Sequence, residues 1–306
     1  MRFLSGLCQN FKVEEMTFSR WPTVVVAVAI ATGWIALVTS YGHIPVVLTI
    51  IGLTFLGAWY GSLQHEVIHG HLPRWVAWLP LNLLLPFERY RTTHLDHHRN
   101  QLITDPLEDP ESFYMTPERW ASLTPWHRRV MLFSRTMIGR MALGPVLYHV
   151  NFVWRDVRNA RRNGFSQIWI SHVLAALGVA GLVRFLGMPL WVYLVGFVYG
   201  GSSLTLLRSF VEHRAVPVGT LSAVVETNPL MSLVFLNNNL HHAHHLSPGT
   251  PWFALPALCR EVGAAQEAQA GAGLYRGYLD VARRYAFRPF CQPVRAFDSS
   301  PEVLNL

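Results

Sequence analysis

HEVIHGH, residues 65–71, opens with His-Glu, two apolar residues and His. On a helix, His65 and His69 lie one turn apart on one face, a spacing that offers two imidazoles to one metal ion. In a zinc peptidase the intervening acid, here Glu66, would activate a metal-bound water. The motif therefore admits a zinc peptidase, a different metalloenzyme, or a helix that merely carries histidines. What surrounds it decides among them.

Of the 306 residues, 51% are hydrophobic and 14% charged, against roughly 25% charged in a soluble domain. With a mean hydropathy of +0.24, this composition is that of a membrane protein. The net charge of +7 is almost entirely arginine, Lys12 being the one lysine. A basic chain can bind nucleic acid, but the basic inner face of a membrane protein accounts for the charge better, and no nucleic-acid partner is expected. Three cysteines, Cys8, Cys259 and Cys291, are too scattered for a disulfide framework and point to free thiols. The start, MRFLSGLCQNFKVEEM, has no signal-peptide pattern.

A bilayer core takes about 20 apolar residues as helix. Residues 21–42 and 46–63 meet this and form a first helical hairpin that runs directly into HEVIHGH; residues 166–187 and 190–212 form a second, ending at His213. His172 is read as a bonded interior histidine, and Arg184 as snorkelling to the headgroups. The apolar stretches 75–87 and 130–154, broken by Pro or Arg, read as interfacial helices. The links at 43–45 and 188–189 lack Lys and Arg, whereas residues 1–20, 64–165 and 213–306 hold nearly all the basic charge. The termini and the long central loop are therefore expected on the cytoplasmic side, in a multi-pass protein of a bacterial inner membrane. The expected fold is a single all-α membrane domain: an N-terminal segment (1–20), a first hairpin (21–63), a loop (64–165), a second hairpin (166–212), a helical cap (213–288) and a tail (289–306).

Fifteen histidines are far from evenly placed. HEVIHGH supplies His65, His69 and His71; THLDHHRN supplies His94, His97 and His98; EHR supplies His213; and LHHAHHL supplies His241, His242, His244 and His245. All fall on one side of the expected membrane, so convergence on one site is the economical reading. A catalytic zinc needs three protein ligands and an open position, which would leave the two HxxHH clusters unused. Many neutral imidazoles suit two iron ions with positions left for O2. The zinc peptidase remains the alternative, as does a histidine-loaded metal transporter, although the spans hold few of the polar groups that transport requires.

HEVIH, HLDHH and HHAHH resemble, in order and placement, the three histidine boxes of the integral-membrane fatty-acid desaturase and hydroxylase superfamily. The resemblance extends over residues from about 45 to 258 and includes SPGTPWFALP (247–256) after the third box. It implies a four-span protein with a cytoplasmic cap and a non-haem di-iron centre. His65, His69, His94, His97, His98, His213, His241, His244 and His245 would then be the ligands, with His71 and His242 beside them. Glu66 becomes a partner of the ligands or a bridge, Asn237 an amide near the metal, and Asp96 the carboxylate best placed to orient a ring, with the acidic run 104–114 as the other source. The implied reaction is O2-dependent oxidation of a lipid hydrocarbon chain, acyl desaturation first, with hydroxylation, carotenoid ketolation and alkene-forming decarboxylation as alternatives. Electrons would come from a separate ferredoxin, rubredoxin or cytochrome, since no iron–sulfur spacing occurs in the chain. Arg155, Arg158, Arg161 and Arg162 are its expected docking residues.

Overall fold

A computed structural model describes residues 19–99, 102–158 and 165–295. The chain is mostly helical, and four helices are long and apolar enough to cross a membrane: Trp21–Thr39, Val46–Ile68, Gln167–Phe185 and Leu190–Ser209. The first two are α1 (Trp21–Thr39) and α2 (Val46–Ile68), each opened by a proline at its first turn or cap. They pack antiparallel, for Gly33 meets Leu56 while Gly52 meets Leu37. Helix α2 runs five residues past the expected end of its span, so HEVI continues the helix and Gln64–Ile68 are all buried.

The fourth span is composite: α8 (Leu190–Tyr193), a π-helical turn (Leu194–Gly200) and α9 (Gly201–Ser209). It packs against α2 so closely that a Cβ on Gly201 would lie 2.8 Å from the Cα of Gly57. Small residues permit such approach where hydrophobic segregation offers no force between helices. Gly57 faces Gly201 and Gly61 faces Thr205, so the two helices advance together and run parallel. The π turn changes the carbonyl pattern, and Thr54 Oγ1 donates to the Gly196 carbonyl at 3.3 Å. The third span, α7 (Phe165–Phe185), completes the set.

The stretch 75–87 is not an interfacial helix. Only one 3-10 turn, Arg74–Ala77, forms before Pro80 and Pro86 interrupt it, and the rest runs as irregular backbone among the spans. Backbone of this kind is tolerated at membrane depth only where its polar groups find partners. Here they do: Tyr60 OH donates to the carbonyls of Ala77 and Leu79, Tyr193 OH to Leu81 at 2.7 Å, and His172 Nε2 bonds that of Leu83 at 3.0 Å. Gln64 and Trp34 donate to Tyr60 and Tyr193 in turn. His172 is thus a bonded interior histidine, as expected.

Residues 87–99 form α3 (Phe87–Arg99), followed by α4 (Pro117–Ala121). The stretch expected near 130–154 is helical but broken: α5 (Pro125–Phe133) and α6 (Met137–Arg158) meet at 112°. Helix α6 lies along α9 despite Pro145. That proline cannot bond the Met141 carbonyl, and Ser203 Oγ takes it instead at 2.9 Å. Beyond α9 follow α10 (Pro229–Val234), α11 (His241–Leu246), α12 (Leu255–Glu261), α13 (Ala264–Gln269) and α14 (Tyr278–Tyr285). Two short strands, β1 (Val224–Val225) and β2 (Leu274–Tyr275), pair in parallel.

Gly57→Ala should lower the melting temperature of the detergent-solubilised protein by the equivalent of about 1–3 kcal/mol or more, because the new methyl collides with the Phe197 carbonyl. Gly178→Ala, whose Cβ meets nothing within 4 Å, should leave it unchanged or raise it slightly.

Candidate metal centre

Nine histidines converge in two groups: His65, His69, His94, His98 and His244, and His97, His213, His241 and His245, the ligand atoms within each group lying within 4.8 Å of one another. Helical period explains the division. Residues four apart are turned about 40° from one another, residues three apart about 60° in the opposite sense, and adjacent ones about 100°. On α3, His94 and His98 enter the first group while His97 enters the second; on α11, His241 and His245 enter the second while His244 enters the first. Helix α2 adds the pair His65 and His69, with His69 as its C-cap, and His213 follows α9. The two groups adjoin, since the rings of His98 and His245 stack at 4.5 Å.

The nitrogens face inward. In the first group the Nε2 atoms of His69 and His94 are 3.1 Å apart, those of His94 and His98 3.1 Å, and those of His98 and His244 3.0 Å. In the second the Nε2 contacts are His97 to His213 at 3.1 Å, His213 to His241 at 2.9 Å and His241 to His245 at 3.1 Å. On the outer side, acceptors claim the other ring nitrogen. His94 Nδ1 lies 2.9 Å from Glu111 Oε1, His97 Nδ1 lies 2.8 Å from Asp109 Oδ1, and His241 Nδ1 lies 3.1 Å from Asn238 Oδ1. Such acceptors place the proton on Nδ1 and leave Nε2 a lone pair. Lone pairs facing one another at about 3 Å repel unless a cation lies among them, so the donor set fits metal ions.

Charge supports this state. Burial first, then neighbouring histidines, lower His69 and His98 to about 2, and burial with His97 lowers His213 to about 3. Burial also holds His241, His244 and His245 well below the usual range. These six rings are therefore neutral, the form that binds metal. Burial would lower His97 as well, but Glu111 and Asp109 outweigh it and raise this ring. Those contacts in turn keep Glu111 well below the usual carboxylate range despite its burial, chiefly through His94 and His97. Glu212, paired with Arg208 at 3.1 Å and 3.5 Å from His241 Nδ1, is pushed up to about 7 by burial, which the Arg208 charge opposes.

Three expected residues stand elsewhere. Asp96 is exposed and pairs with Arg99 at 3.4 Å; it lies on the outer face of α3, and the orienting carboxylates are Asp109 and Glu111 of the acidic run. Asn237 does not reach the histidines, because its Nδ2 donates to the Trp252 carbonyl at 2.9 Å. Its neighbour Asn238 does, bonding both His241 and His65, the latter at 3.3 Å. Leu236 and Asn237 are both left-handed, with φ of 45° and 55°, and this turn separates the two amides. Glu66 joins neither group: its Oε2 accepts from Trp252 N at 3.2 Å and lies 3.9 Å from His71 Nε2. Glu66 and Asn237 thus hold both backbone polar groups of Trp252.

His242 also stays outside, bridging Ser222 Oγ at 2.8 Å and Glu267 Oε2 at 2.9 Å. Sequence reasoning passed over Glu212, Asn238, Ser222 and Glu267. A signal existed for Glu212, which directly precedes His213. Of the arginines expected to face an electron donor, Arg155 is half-buried with Nη1 on the Pro110 carbonyl at 2.7 Å. Arg158 is exposed, and Arg161 and Arg162 lie outside the described residues.

The family model described as "Fatty acid desaturase" matches residues 41–275, more than half of the chain and all nine histidines. No curated protein matches.

Asp109→Asn should weaken metal retention against a competing chelator by roughly 10–100-fold, read as metal content per chain after dialysis. Asp96→Asn should leave it unchanged.

Proposed function

The chain belongs to the fatty acid desaturase family, and on that footing we propose that it is an O2-dependent di-iron membrane oxidase acting on a lipid hydrocarbon chain as a fatty-acyl desaturase. The observation that carries this reading is the pair of adjoining histidine groups, five and four imidazoles, with their nitrogens turned inward. A single metal site would leave one group unexplained.

His65, His69, His94, His98 and His244 would hold one iron, and His97, His213, His241 and His245 the other. Imidazole nitrogens bind Fe(II) while leaving positions for O2, and the bound irons supply the redox chemistry that activates it. Desaturation balances as –CH2–CH2– plus O2, two electrons and two protons, giving –CH=CH– and two waters. The electrons must come from outside the chain, through a ferredoxin, rubredoxin or cytochrome type of carrier docking on a basic face.

The protein's own residues set the conditions. Asp109, Glu111 and Asn238 hold the rings in register, which keeps the donor set preorganised. The strap at Trp252, tied by Glu66 and Asn237 and packed on the apolar core, fixes the segment after His245 against α2. Because the Glu66 carboxylate is directed to that strap, it is not placed to activate a water, and the peptidase reading of HEVIH loses its base. The basic loops favour a cytoplasmic site at a bacterial inner membrane.

The test is metal analysis joined to lipid profiling. Purified protein should carry two irons per chain. His98→Ala and His245→Ala, one from each group, should each abolish turnover and lower the iron content. Lipids of expressing cells should gain a product two hydrogens lighter than its precursor. A product heavier by one oxygen would replace desaturation with hydroxylation. One zinc per chain, indifferent to the loss of His97 or His245, would overturn the di-iron reading altogether.

A further inference from the structure

A cleft of about 670 Å³ opens between β2 and α14, and none of its lining residues belongs to the two histidine groups. Arg214, Arg276, Arg283 and Arg284 line it, with Tyr275 and Tyr285. Asp280 is the one carboxylate lining it among the described residues. That carboxylate is committed: Arg284 Nε and Nη2 bond its two oxygens at 2.9 and 2.8 Å, and Arg276 N donates to it at 3.2 Å. Three further guanidinium groups therefore border the space with no second acid among the lining residues. Arg214 is held over the Phe290 ring at 5.5 Å, and Arg284 over Tyr275 at 5.4 Å. Held planar cations of this kind match phosphate oxygens in geometry as well as charge.

The rim identifies where the phosphate comes from. Leu279 and Phe287 are 65% and 79% exposed, and with Arg283 between them they form a stripe at four-residue spacing along and just past α14. The Ala286 carbonyl accepts from Ile138 N at 3.3 Å, which fixes this end of α14 against the start of α6. Helix α6 in turn packs on the last span through Ser203 and Met141 and exposes Val146, Val150 and Trp154. The cleft is thus tied through α14 and α6 to the last span, with cations lining it and exposed apolar side chains one turn to either side of Arg283. A soluble phosphate compound has no use for an exposed Phe and Leu at the mouth of its site; a lipid does, because its acyl chains stay in the bilayer beside the headgroup.

We propose that this cleft binds the phosphate of an anionic phospholipid headgroup, with Phe287 and Leu279 seated among the acyl chains. The proposal stands whether or not the histidine groups carry iron.

The test uses the full chain purified in an uncharged detergent. Phosphatidylglycerol, phosphatidylcholine and inorganic phosphate are added separately, with retained lipid read by native mass spectrometry and stability by melting temperature. Phosphatidylglycerol should be retained at least tenfold over phosphatidylcholine and should raise the melting temperature. Arg276→Gln with Arg283→Gln should weaken its binding on the order of thirtyfold, two basic side chains at about fivefold each. Phe287→Ser should weaken it without any change of charge. All three positions are exposed, and unchanged helix content verifies folding; the single Arg276→Gln, outside any helix, serves if the double variant does not elute as one species. Equal retention by wild type and variants overturns the site. Inorganic phosphate that displaces the lipid and stabilises as well as it does would reassign the cleft to a soluble phosphate ligand and overturn the lipid assignment.

Discussion

Imidazole nitrogens pressed together in a buried space are the constraint on which the rest of the structure depends. Each lone pair would be relieved by a proton, but burial makes a charged ring costly, and neighbouring rings make each further charge costlier. The alternative is a cation shared among several rings. Two such cations reconcile the inward nitrogens, the neutral rings and the ring of acceptors outside them. Asp109 and Glu111 then have a second role, as negative charge beyond the rings that would offset the positive charge within. Since the grouped histidines come from α2 and its cap, α3, the segment after α9, and α11, such ions would also join elements distant in sequence, and metal binding would become part of the free energy of folding.

The membrane part supplies the heights at which these ligands stand. Gly57 faces Gly201 and Gly61 faces Thr205. One more turn of the same register sets residue 65 level with 209, the last residue of α9. The tight contact in the spans therefore fixes how the helix carrying His65 stands against the one that leads to His213. The irregular stretch 77–83 serves the same end. Its carbonyls are tied to side chains of α2, α7 and α8, which braces the spans against one another where no continuous helix lies between them.

The nine histidines were legible because residue type and spacing both survive folding, and so were the four apolar spans. What went astray did so for definable reasons. Asp96 sits between His94 and His97 in sequence, yet on a helix it lies about 200° around from His94, so proximity in sequence meant distance in space. Asp109 and Glu111 reach the rings from a loop whose path no local pattern specifies. Asn237 and Asn238 differ only by a left-handed turn that the sequence NNN does not declare. For 75–87 the apolar content was read as helix, whereas two prolines and waiting hydroxyls on the spans favoured irregular backbone.

Glu66 is the most instructive of these positions. The HExxH reading assigned it a catalytic part because it lies between two ligands. Helical geometry turns it about 100° from His65 and away from the plane the ligands share. There it meets Trp252 N, while Asn237 takes the Trp252 carbonyl. A carboxylate buried this deeply needs hydrogen-bond donors, and the segment after the third histidine cluster needs a fixed anchor. One contact meets both needs. The acid that a peptidase would use on water here ties the segment after the third histidine cluster to the helix bearing the first, so the same five letters encode an anchor between two parts of the chain.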